Sequence, residues 1–189
     1  DELDEETVRA VGAAFAVFTK APKIVVAHDM RESSAPFARA FAAGATGQGT
    51  DVVIAGLAST DLLYFAAGRL DIPGAMFTAS HNPAKYNGIK LCLAGAKPVG
   101  QETGLFAIRD LAQNGVPAYD GKPGTVTEQE LVDDYAQFLR QLVDLSKIRP
   151  LKVVVDAGNG MGGYTVPHVL KDLPLEIVPM YFELDGNFP

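Results

Sequence analysis

Three short apolar runs, residues 23–27, 51–55 and 74–78, alternate with segments whose apolar residues recur at helical spacing. That alternation constrains the fold more than any other feature of the chain. Short runs without polar alternation read as strands buried on both faces, and strands separated by helices belong to layered α/β architectures. Ahead of the first run, Val8, Val11, Ala14, Phe15 and Phe18 follow an acidic start and predict a helix over 5–18. Ser33 or Ser34 can cap a helix through 37–43 that Gly44 can end, and Ser59 or Thr60 can cap one over 61–70.

The turn signal Asn87-Gly88 opens a fourth strand over 89–94. There Ile89, Leu91 and Leu93 share one face and Lys90 takes the other. Residues 99–111 and 128–145 read as helices, and the turn-rich stretch 114–127 between them as loop. Residues 146–150 have the character of a linker, and 151–155 start a fresh strand, glycine loop and helix with a second strand at 175–181. Too little chain follows for that unit to close a core alone. The expected fold class is therefore α/β: a layered α/β/α domain with a mixed sheet over 1–146, then the start of a second similar domain over 147–189. Both chain ends read as cuts in a longer protein.

Composition narrows the function classes. A formal net charge of -7 with no basic stripe argues against a nucleic-acid partner. A local cation cluster can still serve an anionic small substrate inside a cleft. The single Cys92 cannot form an internal disulfide, and no CxxC or His/Cys spacing suggests structural zinc. These features, with no signal peptide and no bilayer-spanning apolar run, predict a cytoplasmic protein with no membrane partner.

The chemistry concentrates in Thr78-Ala79-Ser80-His81-Asn82-Pro83, which runs on through Lys85-Tyr86-Asn87-Gly88-Ile89-Lys90. A serine hydroxyl is a poor nucleophile unless a base and cations assist it, and here such groups lie within ten residues. Histidine moves protons near neutral pH and lysine holds a phosphate as a point charge. Ser-His alone is equally compatible with a hydrogen-bonded turn. The whole run, however, closely resembles the phosphoserine loop of the α-D-phosphohexomutases, the phosphomannomutase/phosphoglucomutase family.

The resemblance extends further along the chain. His28-Asp29-Met30-Arg31-Glu32-Ser33-Ser34 is similar to that family's Asp-x-Arg loop, and Gly56 to Phe65 to its next loop and helix, with Asp61 where the family usually has proline. Val155-Asp156-Ala157-Gly158-Asn159-Gly160 and Asp185-Gly186-Asn187-Phe188-Pro189 resemble the opening of its second domain. The resemblance implies a mutase that interconverts hexose 6-phosphate and hexose 1-phosphate through phospho-Ser80 and a hexose 1,6-bisphosphate, which also serves as activator. It implies Mg²⁺ on the Ser80 phosphate, His81 as proton shuttle, and Lys90 as general base or phosphate contact. Arg31 and Asn82 become candidate phosphate-binding residues, although Asn82, Asn87 and Gly88 also suit loop shaping and Arg31 a surface salt bridge to Asp29 or Glu32.

Hexose phosphates and the remaining domains of the same chain are the implied partners. Tyr86 resembles the phosphomannomutase/phosphoglucomutase branch, whereas glucosamine-phosphate mutases, the alternative substrate class, tend to carry an acidic residue there. The metal, sugar and far phosphate loops of the family would lie beyond Pro189, so the 189-residue chain alone is expected to be inactive.

A different class of function stays open. Gly158-Asn159-Gly160-Met161-Gly162-Gly163 fits a dinucleotide fingerprint, with Glu183 placed as a ribose-binding acid. On that basis the chain is a fragment of a nucleotide-binding oxidoreductase. The mutase family carries the same glycine loop without a dinucleotide, and tight turning with close strand–helix packing explains the glycines better.

Overall fold

A computed structural model describes residues 3–189. Helix α1 (Glu5–Thr19) leads into β1 (Lys23–His28), α2 (Ser34–Gly47), β2 (Asp51–Leu57), α3 (Thr60–Leu70) and β3 (Gly74–Phe77). After a loop come β4 (Ile89–Leu93), β5 (Lys97–Pro98), α4 (Leu105–Asn114), β6 (Val126–Glu128) and α5 (Val132–Gln141). The second unit holds β7 (Leu151–Asp156), α6 (Gly162–Val169) and β8 (Leu175–Met180). Among the described residues, no helix is long and apolar enough to cross a membrane.

Six strands form one sheet in the order β5-β4-β3-β1-β2-β6. Pairings β3/β1, β1/β2 and β2/β6 are parallel, whereas β3/β4 and β4/β5 are antiparallel, so the sheet is mixed. Side chains of β1 divide between two cores. Ile24 and Val26 pack with Phe15, Phe41, Phe77 and Ile108 of one layer, while Val25 and Ala27 pack with Leu62, Leu63, Met76 and Tyr135 of the other. Burial on both faces explains why these strands are continuous apolar runs. The expected α/β/α layering with a mixed sheet is present, and β7 and β8 form a separate parallel pair.

Two local expectations need correction. Gly44 does not end α2, which continues to Gly47. A Cβ on Gly44 would collide with the Arg9 carbonyl, and one on Gly12 with the Phe41 carbonyl, so these glycines let α1 and α2 pack backbone against backbone. Nor does either serine cap α2 through its side chain; Ser33 occupies the cap position without that bond.

The region after β4 also differs from the expectation. The helix expected from residue 99 begins at Leu105, because Val99 N–H still donates to the Leu91 carbonyl (2.9 Å) and Gly104 turns the chain at φ 131°. A strand, β6, lies inside and just beyond the stretch expected to be loop, paired in parallel with β2. It is fixed by Asp51, whose Oδ1 accepts from Thr125 N (2.7 Å) and Thr125 Oγ1 (2.8 Å). The helix expected over 128–145 therefore contracts to Val132–Gln141.

Helix α5 reaches the second unit through polar contacts. His168 Nδ1 lies 2.8 Å from Asp133 Oδ1, and Arg140 donates to the Lys171 carbonyl (3.0 Å) just past the end of α6. His168 thus has a structural place.

Candidate active site

Loops at the carboxyl ends of β1, β2 and β3 converge on one cavity of about 340 Å³. Open α/β sheets present ligands at this edge. The first loop supplies Asp29 and Met30, the second Ala58, Ser59 and Thr60, and the third Thr78, Ser80 and His81. The second unit closes the far side with Gly160, Met161 and Phe188. Larger cavities exist elsewhere, of about 760 Å³ beside α2 and about 800 Å³ between α3 and α5. Neither is lined by a serine or a cysteine.

Ser80 is exposed and sits in the left-handed backbone region at φ 55°. A non-glycine residue there is strained and needs surrounding contacts to hold it. Its N–H donates to Thr78 Oγ1 (3.0 Å), and its hydroxyl lies 3.4 Å from His81 Nδ1. That second separation is long for a formed hydrogen bond, although catalytic contacts commonly tighten when substrate arrives.

The loop's two ends are tied together. Thr78 N–H donates to the Gly88 carbonyl (3.1 Å), and Asn87 donates to Ser33 Oγ (2.8 Å) and Ser34 Oγ (2.9 Å) while accepting from Gly88 N–H (2.8 Å). Asn87 and Gly88 are loop-shaping residues. Lys85 is exposed, with its ammonium 5.2 Å from the Tyr86 ring centroid.

Arg31 is the unexpected member. It is 2 % exposed, so a surface salt bridge is the wrong description, although the partner is indeed Asp29, at 3.1 Å from Nε. Its Nη1 donates to the carbonyls of Pro83 (2.9 Å) and Tyr86 (3.0 Å). Its Nη2 donates to those of Ser80 (2.8 Å) and Asn82 (2.8 Å). An arginine has five N–H donors in a fixed fork. All are engaged within the protein, and none is left for a substrate phosphate in this arrangement.

The remaining candidates scatter. The Asn82 side chain is exposed and its carbonyl belongs to Arg31, so its observed part is in loop shape. Lys90 is exposed on β4 opposite Met76, and it is not among the residues lining the Ser80 cavity. The alternation expected along β4 holds, with Ile89 and Leu91 in one core and Cys92 in the other. Burial pushes the Cys92 thiol up to about 11. His28, the last residue of β1, lies with Nδ1 2.8 Å from the Asp29 carbonyl and does not line the Ser80 cavity.

Two further residues border the site without having been candidates for its chemistry. Ser59 caps α3 by accepting from Leu62 N–H (3.3 Å), which brings the positive end of that helix to the cavity. Phe188 stacks on Arg31, with the guanidinium carbon 5.0 Å from its ring centroid. The Ser59 cap had a local signal in the sequence, whereas the Phe188 contact spans more than 150 residues and had none.

The glycine loop turns inward on its own chain. Gly158 and Asn159 adopt positive φ, the Asn159 side chain donates to the Glu183 carbonyl (3.0 Å), and a Cβ on Gly163 would strike the Phe182 backbone. These contacts explain the glycines without a dinucleotide. Among the described residues, no group of three or more His, Cys, Asp or Glu is arranged to hold a metal ion.

Comparison with known proteins fits this geometry. The family profile described as phosphoglucomutase/phosphomannomutase, alpha/beta/alpha domain I, matches residues 1–117, and that of domain II matches residues 133–189. A protein of Xanthomonas campestris named "Phosphohexose mutases" is 41% identical over 192 residues, covering 100% of this chain and 42% of the relative. A phosphomannomutase of Escherichia coli is 38% identical over 198 residues, with 100% and 43% covered.

Among solved structures, a phosphoglucomutase/phosphomannomutase family protein from Burkholderia thailandensis matches with TM-score 0.84 and 31% identity, covering 99% of this chain and 42% of that one. A putative phosphomannomutase from Thermus thermophilus matches with TM-score 0.86 and 29% identity, covering 99% and 44%. The chain thus spans less than half the length of these relatives. From its profiles, its relatives and its fold, the chain belongs to the phosphoglucomutase/phosphomannomutase family.

Proposed function

We propose that this chain is the nucleophile-bearing part of a phosphohexomutase that interconverts the 6- and 1-phosphates of mannose or glucose. One observation carries the reading: Ser80 is held exposed, in a strained backbone, at the mouth of a cavity bordered by the N-terminal ends of α3 and α6. Helix N-termini favour anions. Phospho-Ser80 gives its phosphoryl group to a hydroxyl of the bound hexose phosphate. The bond from Ser80 Oγ to phosphorus breaks, a new oxygen–phosphorus bond forms on the sugar, and the sugar hydroxyl loses its proton. His81, beside Ser80, would take that proton. The resulting hexose 1,6-bisphosphate turns over, and its other phosphate returns to Ser80.

Positioning and charge neutralisation dominate phosphoryl transfer. Mg²⁺ would neutralise charge on the transferring phosphoryl group. Within this chain it would be held through the Ser80 phosphate, because Asp29, the one acid among the described residues that lines the cavity, already accepts from Arg31 and Ser34. Its other oxygen ligands, and recognition of the sugar, belong to further domains of the same protein. Lys90, exposed on β4 and paired with Met76, would serve as general base or phosphate contact for a substrate bound at the cavity. The 0 % exposed Cys92 thiol suits a reducing compartment such as the cytoplasm.

The test is turnover of mannose 6-phosphate by the full-length protein with Mg²⁺ and catalytic hexose 1,6-bisphosphate. Ser80→Ala should lower kcat by at least about 10³-fold, as loss of a covalent nucleophile does. Turnover that survives this substitution refutes the role of Ser80. The 189-residue chain alone should show none.

A further inference from the structure

We infer that Arg31 is a positioning residue for Ser80, acting through the loop backbone and not through a substrate phosphate. The inference rests on the mutase reading for its kinetic part, but its structural part stands by itself. A loop carrying a left-handed, exposed nucleophile between Thr78 and Gly88 has few apolar contacts to fix it. Its carbonyls at Ser80, Asn82, Pro83 and Tyr86 all turn inward onto one guanidinium. Holding the Ser80 carbonyl fixes the peptide that follows the nucleophile, and so stabilises φ 55° at that residue.

The guanidinium is itself oriented from three sides. Asp29 Oδ2 accepts from Nε (3.1 Å), and Asp29 Oδ1 accepts from Arg31 N–H (3.1 Å) and from Ser34 Oγ (2.6 Å). Asn87 then links Ser34 back to the loop's end at Gly88. From the second unit, the Phe188 ring covers the guanidinium, and Gly186 lies so near Arg31 that a Cβ there would come within 3.1 Å of its Cα. The arginine therefore joins the nucleophile loop, the first domain's sheet edge and the second unit at one point. Lysine, a flexible point charge with three donors, cannot reproduce a planar fork that serves four carbonyls.

The experiment compares full-length wild type, Arg31→Lys and Asp29→Asn. Two readouts separate positioning from phosphate binding. In steady-state turnover, Arg31→Lys should lower kcat by about 100-fold, as small misplacements of a reacting group do, with KM changed by less than about threefold. In native-state proteolysis with trypsin, cleavage after Lys85 should speed up at least about tenfold, because the loop opens locally more often.

Asp29→Asn keeps the shape but loosens the fork, and should show both effects in smaller degree. It carries the comparison if Arg31→Lys does not melt cooperatively. A raised KM at unchanged kcat, or wild-type proteolysis at Lys85 in both variants, overturns the inference. The proteolysis readout does not depend on mutase activity. A wild type that fails to turn over any hexose phosphate would therefore count against the proposed function alone.

Discussion

Glycine in place of Ser80 should give a more stable protein than alanine in the same place. Both substitutions remove the hydroxyl, so the comparison isolates the backbone at φ 55°. A side chain in the left-handed region costs about 1–2 kcal/mol, because Cβ crowds the neighbouring carbonyl. Against this, glycine gains conformational entropy in the unfolded chain, worth about 0.4–1 kcal/mol in favour of alanine. The balance leaves Ser80→Gly ahead by about 0.8 kcal/mol.

For a chain of this size, a difference near that value raises the melting temperature by about 2–3 °C. With no tryptophan and six tyrosines, circular dichroism is the natural readout, run on both variants side by side. An alanine variant that melts at or above the glycine variant refutes the reasoning. Ser80 would then not occupy the left-handed region, and the grip of Arg31 on its carbonyl would lose its purpose.

Two further expectations follow from buried or tethered groups. Backbone and side-chain hydrogen bonds from Thr125 hold the Asp51 carboxyl below its ordinary value of 3.8. A depressed carboxyl adds stability above its unfolded value that is lost as pH falls through the folded one. Wild type should therefore lose stability below about pH 4 more steeply than Asp51→Asn in acid denaturation, and parallel curves would contradict this. Cys92, fully buried with its thiol pushed up to about 11, should resist a disulfide reagent at pH 8 until the protein unfolds. Rapid labelling of the native protein would show that the β3–β4 face opens.

How much of this was legible in the sequence depended on how local each cause is. Strands β1, β2 and β3 announce themselves because burial on both faces leaves no polar alternation to obscure them. Helix α3 was legible from its Ser59 cap, which acts within three residues. Strand β6 gave no signal: its three residues are exposed, and what makes it a strand is Asp51, over seventy positions earlier. Gly44 resembled a helix stop because the alternative reason for a glycine, a neighbouring helix backbone at Arg9, is a tertiary fact.

The candidate site divides in the same way. Ser80 and His81 are adjacent in sequence, and the structure keeps them together at the cavity. Arg31 had the right neighbour, Asp29, but its burial comes from carbonyls about fifty residues away. A donor fork with all partners already present has a different chemical use from an exposed one, and only the fold tells them apart. Lys90 shows the converse: its strand position was read correctly, yet the cavity lining does not include it.

The central claim is that Ser80 carries the phosphoryl group. Intact-mass spectrometry of the full-length protein and of Ser80→Ala, after incubation with glucose 1,6-bisphosphate, tests it most directly. The account predicts one phosphoryl increment on wild type and none on the variant; an equal increment on both would contradict it.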